Sequence, residues 1–269
     1  MSSAAKTLEL LGYFSTMRPE IGLSQLCKLA HRDKATTYRH LQALEDAGFV
    51  EQNLLSKQYR LGPALLQLAQ VREATVPRKA GVEAPLIDLA NATGETSHVT
   101  VLSGASVFEL ASCESPKHGT RVIIDITTFP LHATASGLCA VAFGPPELLE
   151  AATTDLQPFT STTPITTETL RATVDAIRAT GFGRADRSFE AEVQGLSAPL
   201  YDHTGHYAGA VSVASVAARF TPELAQIIQH HLVIASRQIT HNWGGIVPTE
   251  IEAIWAKSFT PSHALEFAS

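Results

Sequence analysis

The sequence has few cysteines, and their arrangement excludes most disulfide frameworks and zinc clusters. Cys27, Cys113 and Cys139 are far apart, odd in number, and form no Cys-x-x-Cys pair. Isolated cysteines of this kind are typical of small buried side chains. The eleven histidines form no His-x-His, His-x-x-x-His or His-Glu-x-x-His motif, and the adjacent His230 and His231 would point to different faces of a helix. We therefore expect neither a metal site nor a cofactor.

The sequence also lacks targeting and membrane-spanning signals. Its first residues, MSSAAKTLELLGYF, lack the basic start and long apolar core of a signal peptide. No apolar run approaches the ~20 residues needed to cross a bilayer. Apolar residues make up 45% of the chain and charged residues 17%, which excludes a wholly disordered chain and predicts hydrophobic cores. We expect a soluble cytoplasmic protein of one large or two smaller domains.

Negative charge dominates the sequence, but it is unevenly distributed. The net charge is −6, which by itself disfavours a nucleic-acid partner. Residues 1–62, however, contain eight basic and six acidic residues, a net charge of +2, so the remainder carries −8. This asymmetry predicts that an anionic partner such as DNA meets the first 62 residues and is repelled by the rest.

Hydrophobic periodicity predicts two helices before residue 31. The first covers about residues 4–16. The second follows the breaks at Pro19 and Gly22, with Ser24 as a candidate N-cap. The apolar stripes are Leu8, Leu11 and Phe14 in the first helix and Leu23, Leu26 and Leu29 in the second.

A third helix and a short hairpin complete the N-terminal pattern. The helix is predicted over 34–47, with Asp33 as N-cap, Leu41 and Leu44 as its buried stripe, and Gly48 as the stop. Residues 49–52 and 58–61 read as two strands joined by a polar tip. Three helices followed by a hairpin predict a winged helix-turn-helix. The predicted organisation is a DNA-binding domain at 1–62, a linker helix at 63–77, a larger domain at 78–243 and a loose tail at 244–269.

The larger domain mixes helices with short strands, which is typical of an α+β fold. The predicted helices cover about 78–92, 133–143, 168–180 and 222–242, with another starting at Pro145-Pro146. The predicted strands cover about 98–102, 107–111, 121–124, 196–201 and 207–216. Between them, 153–167 is predicted to be a surface loop and 202–206 a turn.

The third helix carries the residue types that a recognition helix needs. In a helix-turn-helix, the second helix of the pair enters the major groove with its N-terminal turn against the base edges. Arg39 can donate two hydrogen bonds to a guanine, or it can hold a phosphate, and both alternatives stay open. An ordinary amphipathic helix with a solvated polar face is the alternative interpretation. The candidate DNA-binding residues are Ser24, Lys34, Thr36, Thr37, Tyr38, Arg39, His40, Lys57 and Arg60.

The segments KATTYRHLQALEDAGFV (34–50) and YRLGPALLQLA (59–69) resemble the IclR (isocitrate lyase regulator) family of bacterial transcription factors. PLIDLANATGETSHVTVL (85–102), PLHATASGLCAVAF (130–143) and LSAPLYDHTGHYAGAVSVAS (196–215) extend the resemblance through most of the chain. It implies a GAF-like sensor domain, an antiparallel sheet flanked by helices, joined to the DNA-binding domain. It also implies a regulator, repressor or activator, of a catabolic operon that binds palindromic DNA as a dimer or a dimer of dimers.

What the resemblance implies for the sensor is a pocket for a small organic or aromatic acid. The start of the 133–143 helix would direct free backbone N–H groups at such an anion. The candidate effector-binding residues are His98, His132, Thr134, Ser136, Gly137, Asp186, Ser212 and Ala214. The sequence departs from the family pattern at Leu138, at the thinned acidic run of Asp186, Glu190 and Glu192, and at Ala214, so the identity of the ligand stays open.

Two other functions compete with this interpretation. A hydrolase is disfavoured because Ser136 lies in Ala-Ser-Gly rather than in a Gly-x-Ser-x-Gly elbow, and phosphate loops and dinucleotide fingerprints are missing. Ser136→Ala would abolish turnover in such an enzyme and leave DNA binding by a regulator intact. A DNA-binding protein without an effector is the second alternative, which a change of DNA affinity on adding a metabolite would exclude.

Overall fold

The computed structural model describes residues 2–15, 17–75 and 78–258. The chain folds into two compact units, residues 1–77 and residues 78–269. In the described part of the chain, no helix combines the length and the apolar character that a membrane-spanning segment requires.

The first unit is a helical domain with a small antiparallel sheet. A 3₁₀ turn at Leu10–Tyr13 follows its first helix. The sheet order is β1-β3-β2, which makes the hairpin a wing beside the helices. The elements are α1 (Ser3–Glu9), β1 (Ile21–Gly22), α2 (Leu23–Leu29), α3 (Lys34–Asp46), β2 (Val50–Gln52), β3 (Gln58–Leu61) and α4 (Ala64–Thr75).

The limits of α3 follow from local chemistry. The Asp33 carboxylate accepts a hydrogen bond from the Thr36 N–H at 2.9 Å and so caps the first turn. At the other end, Gly48 adopts a φ of 72°, a left-handed conformation that glycine adopts without a steric penalty. Leu41 and Leu44 are buried between these ends, as the sequence predicts.

Two details of the first unit differ from the predictions. The first helix ends at Glu9, and Leu8 is 58% exposed while Leu10 is fully buried, because the 3₁₀ turn changes which residues face the core. Ser24 lies inside α2 and is not its cap, since the helix begins at Leu23 after Gly22. The predicted hairpin is confirmed by the pairing of β2 with β3.

The second unit is an α+β domain built on one antiparallel sheet of order β6-β5-β4-β9-β8-β7. A 3₁₀ turn at Ala217–Arg219 follows the last strand. Its helices are α5 (Glu83–Thr93), α6 (Ala135–Phe143), α7 (Glu147–Thr154), α8 (Thr167–Thr180), α9 (Pro222–Asn242) and α10 (Thr249–Ser258). Its strands are β4 (Thr96–Ser103), β5 (Ser106–Cys113), β6 (Thr128–Phe129), β7 (Gly183–Asp186), β8 (Val193–Tyr201) and β9 (Tyr207–Val216).

Helices cover both faces of the central strands. On one face, Leu86 of α5 and Ile228 of α9 pack with Leu196 and Val211 in one hydrophobic cluster. On the other face, α6 and α8 form a second cluster that includes Ala210. Strands β8 and β9 are therefore buried almost throughout, and their successive side chains contribute to opposite layers.

Two predicted elements of the second unit are wrong in position or type, and one strand was not predicted. The helix predicted over 78–92 begins at Glu83. Residues 121–124 form no strand; instead the edge of β5 pairs with Thr128 and Phe129, because the ladder hydrogen bonds go to that segment. Strand β7, which pairs with β8, is absent from the predictions because Gly183–Asp186 carries little apolar alternation.

The interpretation of 244–269 as a loose tail is wrong for its first half. Helix α10 buries Ile251 and Trp255, and the Trp255 indole N–H donates to the Gly181 carbonyl at 2.9 Å. Gly181 has to be a glycine here, because a Cβ would lie 2.6 Å from the Trp255 ring and φ is 80°. The rest of that predicted tail, 259–269, lies outside the described residues.

We expect Trp255→Ala to lower the free energy of unfolding of the second unit by about 3–5 kcal/mol, because it leaves a large cavity under α10. Urea unfolding followed by circular dichroism measures the change. Lys257→Ala, on the exposed side of the same helix, is the control and should leave stability unchanged. Equal stability of both variants would contradict the packing of α10.

Candidate DNA-binding surface and sensor pocket

The polar face of α3 projects from the first unit. Lys34, Tyr38 and Arg39 are exposed and Thr36 is half-buried, whereas the leucines of the same helix are buried. Neither Lys34 nor Arg39 forms an ion pair with any residue that the structure describes. Their charges are therefore available to an anionic partner.

Two of the candidate DNA contacts are buried, and their direct role is corrected. Thr37 is fully buried, and its hydroxyl donates to the Asp33 carbonyl at 2.9 Å. His40 is 8% exposed, and its Nδ1 lies 2.7 Å from the Thr7 hydroxyl of α1. Burial and the cations Arg32, Arg39 and Lys6 lower the His40 pKa. These two side chains hold α3 in the unit rather than face outward.

A basic groove that the sequence did not indicate lies between α1 and α3. Lys6 and Arg39 line it together with Thr36. Two cations beside a hydroxyl are a suitable environment for a phosphate oxygen. Lys6 is the one basic residue of α1. Its place on the polar side of an amphipathic helix was the sequence signal from which it could have been identified as a DNA contact.

The two basic residues of the wing differ in electrostatic environment. Lys57 is exposed at the tip of the hairpin and has no ion-pair partner in the described part of the chain. Arg60 Nε donates to the Glu51 carboxylate at 2.6 Å and lies 4.0 Å from Glu20. Its charge is largely compensated within the unit, so Arg60 is a weaker candidate than Lys57. Ser24 is exposed on α2.

The second unit contains a pocket between the sheet, the start of α6 and the segment 122–126. It encloses about 550 Å³ of empty volume, its open mouth included. Four candidate effector residues, His98, Thr134, Ser136 and Ala214, line it. The apolar walls are formed by Val122, Ile123, Ile124, Ile126, Phe129 and Phe189.

A chain of hydrogen bonds supports the inner end of the pocket. His98 of β4 and Ser212 of β9 are register partners, and Ser136 of α6 reaches both: its hydroxyl lies 2.9 Å from the Ser212 hydroxyl and 3.1 Å from His98 Nε2. Phe129 stacks on the imidazole with ring centroids 5.2 Å apart. Burial lowers the pKa of His98 to about 4, so the ring is neutral at pH 7. Its Nδ1 is buried and has no hydrogen-bond partner among the residues that the structure describes.

The N-terminus of α6 opens onto the same pocket. Thr134 caps the helix by accepting from the Gly137 N–H at 3.0 Å, and its own hydroxyl donates to the Pro130 carbonyl. Gly137 does not line the pocket; its role is packing, because a Cβ there would lie 2.2 Å from the Pro130 oxygen. The positive end of the helix dipole thus lies beside His98.

Two candidate effector residues lie away from this pocket, which corrects their assignment. His132 Nε2 lies 2.9 Å from the Gln157 carbonyl, and its ring stacks on Phe159. Asp186 is exposed, with its carboxylate 3.9 Å from Arg184. Both side chains therefore make contacts with neighbouring protein groups rather than with the pocket. Ser212 supports Ser136 from behind without lining the pocket.

The pocket also contains acidic residues that the effector prediction did not include. Asp125 and Glu190 are exposed and line its mouth. Partial burial and the charge of Asp125 raise the pKa of Glu190. The available signal was the apolar run at 121–124, but a short run of β-branched residues predicts a strand rather than a pocket wall. Among the described residues, no group of three or more His, Cys, Asp and Glu side chains is arranged to hold a metal ion.

Comparisons with protein families match both units. Residues 3–54 match the model of the IclR helix-turn-helix domain, and residues 76–241 match that of the bacterial transcriptional regulator IclR C-terminal region. The match of the second model alone spans more than half of the chain.

Individual relatives agree with the family models. The glycerol operon regulatory protein of Streptomyces coelicolor is 28% identical over 203 residues, which are 76% of this chain and 80% of that protein. The crystal structure of an IclR transcriptional regulator from a Silicibacter species is 36% identical, with a TM-score of 0.85, and covers 93% of this chain and 99% of that one.

A third relative was crystallised with a small molecule. It is an IclR homologue from Microbacterium hydrocarbonoxydans complexed with 4-hydroxybenzoate. It is 20% identical to this chain, covers 89% of it and 100% of its own chain, and has a TM-score of 0.65. At this identity the likeness shows a common fold.

We expect Arg39→Ala to weaken binding to the promoter DNA beside the chain's own gene by about 1–3 kcal/mol, because it removes an exposed cation from the leading turns of α3. Fluorescence anisotropy with labelled duplex measures the loss. Arg171→Ala, an exposed arginine of α8, is the control and should bind like the unsubstituted protein. Equal affinity of the two variants would contradict the assignment of the DNA-binding face.

The buried His98 should make the stability of the second unit depend on pH. Because its folded pKa of about 4 lies below the ordinary value of 6.5, the unfolded chain takes up the proton first, and stability falls as the pH decreases from 6.5 towards 4. Between pH 7 and pH 5 we expect a loss of about 2 kcal/mol that His98→Gln does not show. Urea unfolding at both pH values measures it, and parallel pH profiles would refute it.

Proposed function

Since the chain belongs to the IclR family of bacterial transcriptional regulators, we propose that it controls a catabolic operon by binding operator DNA through the first unit and a small-molecule effector through the second. It is a DNA-binding regulator and not an enzyme. The observation that carries the proposal is the exposed, uncompensated cationic face of α3 beside a wing.

DNA is bound by α3 in the major groove, with the wing against the backbone. Arg39, Thr36 and Tyr38 lie on the outward face near the start of the helix, where base edges are reached in helix-turn-helix proteins. Lys34, Lys6 and Lys57 surround this face and contact phosphates. Arg39, Thr36 and Tyr38 read the base sequence, whereas the three lysines position the protein on the DNA backbone.

The active form is a homodimer, or a dimer of dimers, on a two-fold symmetric operator. Helix α4 supports this assignment because Leu68 and Val71, at helical spacing, are 56% and 61% exposed. An apolar row of this kind is stabilised when a second copy covers it. Two copies related by a two-fold axis would place two recognition helices on two half-sites.

The effector is a small organic or aromatic acid held in the pocket. Isoleucine and phenylalanine side chains offer an apolar surface to a ring or a short carbon chain. A carboxylate at the inner end would receive hydrogen bonds from the α6 N-terminus, and the unpartnered Nδ1 of His98 offers one more when it carries the proton. The 4-hydroxybenzoate bound by the Microbacterium relative belongs to the same chemical class.

Control of DNA binding requires that the effector prefer one arrangement of the dimer. A ligand with equal affinity for the DNA-binding and the released forms changes nothing. The coupling is reciprocal, so operator DNA must change effector affinity by the same factor by which the effector changes operator affinity. Measuring both factors tests regulation without knowledge of the regulated enzymes.

The proposal as a whole is tested with DNA from the intergenic region beside the chain's own gene. We expect footprinting to show a two-fold symmetric protected site, and a screen of organic and aromatic acids to yield one that raises the melting temperature and changes operator affinity. Footprinting that finds no protected site at 0.1 M salt would refute the DNA-binding function. Acids that leave both quantities unchanged would refute the effector.

The wing should contribute to the salt dependence of DNA binding through Lys57 more than through Arg60. Each phosphate contact contributes about 0.9 to the slope of log affinity against log salt concentration. We expect Lys57→Asn, which tolerates the left-handed backbone at this position, to reduce the slope by about one. Arg60→Gln should change it less, since Glu51 already compensates that charge. Anisotropy titrations from 0.05 to 0.3 M salt measure the slopes; equal reductions would contradict this difference.

A further inference from the structure

The charged residues of the pocket are unexpected for a site that takes an acid. Asp125 and Glu190 line its mouth, and no lysine or arginine is among the described residues that line it. A ligand with one carboxylate and no other polar group would gain hydrogen bonds at the inner end, but the carboxylates at the mouth would repel it. The two ends of the pocket therefore favour opposite charges.

The inner end is suited to a group that accepts hydrogen bonds. Thr134, Ala135 and Ser136, at the start of α6, line the pocket, and helix N-termini attract anions. His98 is 5% exposed, lines the same pocket, and has a buried Nδ1 without a partner in the described structure. A buried polar atom of this kind requires a hydrogen-bond partner, and a ligand in this pocket is able to supply it.

The Ser212–Ser136–His98 chain allows His98 to donate to that group. When Ser212 donates to Ser136 and Ser136 donates to His98 Nε2, the proton of the neutral imidazole is on Nδ1. This arrangement directs an N–H at an oxyanion without placing a formal charge in the interior. The inner end thus accommodates a carboxylate by dipoles and neutral donors alone.

The mouth is suited to a cation or another strong hydrogen-bond donor. Asp125 on the 122–126 segment and Glu190 beyond β7 are close enough for the charge of Asp125 to raise the pKa of Glu190. A cation placed at both carboxylates would relieve this repulsion. Between the mouth and the inner end, the apolar walls fit a ring or a short hydrocarbon segment.

We propose that the effector is bipolar: an apolar body with a carboxylate held at the α6 N-terminus and His98, and an ammonium group held at the mouth by Asp125 and Glu190. The inference rests on the proposed function and narrows its ligand class to amino-substituted organic or aromatic acids. Asp125 and Glu190 are then the residues that select the ammonium group, because they attract it and exclude plain acids and dicarboxylates.

Two probes of the same shape separate the bipolar ligand from a plain acid. The probes are 4-(aminomethyl)benzoate and 4-methylbenzoate, which differ in an ammonium in place of a hydrogen. An apolar or neutral mouth favours the methyl compound, whereas an acidic mouth favours the amine. We expect the full-length protein to bind the amine about fivefold more tightly in calorimetry at low salt, the amount that exposed ion pairs supply, and the ratio to fall as salt rises.

The variants Asp125→Asn and Glu190→Gln, alone and combined, test the residues themselves. Both side chains are exposed, so the fold is retained, and circular dichroism verifies it. The double variant should lose the fivefold preference and bind 4-methylbenzoate at least as tightly as the unsubstituted protein does, because the repulsion at the mouth is removed. Glu192→Gln removes an exposed carboxylate that does not line the pocket and should retain the preference.

The outcomes distinguish this inference from the proposed function beneath it. If 4-methylbenzoate binds as tightly as the amine, or if the preference persists in the double variant, the bipolar ligand is refuted and an acid effector stands. If neither probe binds the unsubstituted protein at millimolar concentration, the acid effector fails, and the bipolar ligand with it. The DNA-binding measurements on Arg39→Ala are independent of both results.

Discussion

The close approach of α6 to the central strands is the contact on which the second unit depends. The Ser197 hydroxyl donates to the Ala135 carbonyl at 2.8 Å, and a Cβ at Gly183 would lie 2.5 Å from that same oxygen. Small residues are therefore required on both sides of the contact. Because α6 lies so near the sheet, its first turn meets His98, and the apolar segment 122–126 closes over the space that remains.

The first unit shows the corresponding constraint on its recognition helix. The Asp33 cap and the left-handed Gly48 fix both ends of α3, and the buried Thr37 and His40 fix its rotation. Once the rotation is fixed, the outward side chains are determined by the 3.6-residue period alone. Ion pairs then decide which cations remain available: Arg32 is held by Glu9 and Arg60 by Glu51, while Lys34, Arg39 and Lys57 are left to a partner.

Elements defined by local signals were predictable, and those defined by distant partners were not. Helix α9 at 222–242 and the hairpin of β8 and β9 follow from capping residues, periodicity and a polar turn. Residues 121–124 are rich in β-branched residues, as a strand is, but find no ladder partner among the described residues. In α10, Ile251, Ile254 and Trp255 have helical spacing, but the sequence does not show what they pack against until Trp255 meets Gly181. Pairing and burial of this kind depend on chain segments far away in sequence.

The same limit applies to the candidate site. Thr134, Ser136 and His98 were identified because small residues precede a buried helix and a histidine lies in a strand. Asp125 and Glu190 were not identified as ligand contacts, because in the sequence a carboxylate next to a predicted strand or in a loop resembles any solvated surface residue. Thr37 and His40 were wrongly placed on the DNA face, since a polar residue in a recognition helix gives no sign of its direction until the neighbouring helix is known.

The docking of α10 determines the order in which the two units are able to fold during synthesis. The DNA-binding unit has its complete set of core residues once residue 77 has been made, so it is able to fold while the ribosome is still translating the sensor. The sensor core includes Trp255, so it stays open until that late residue has been synthesised. During this interval the folded DNA-binding unit is attached to an incompletely folded sensor unit. The apolar strands of the sensor are then exposed, and their protection from aggregation depends on prompt completion of the chain or on chaperones.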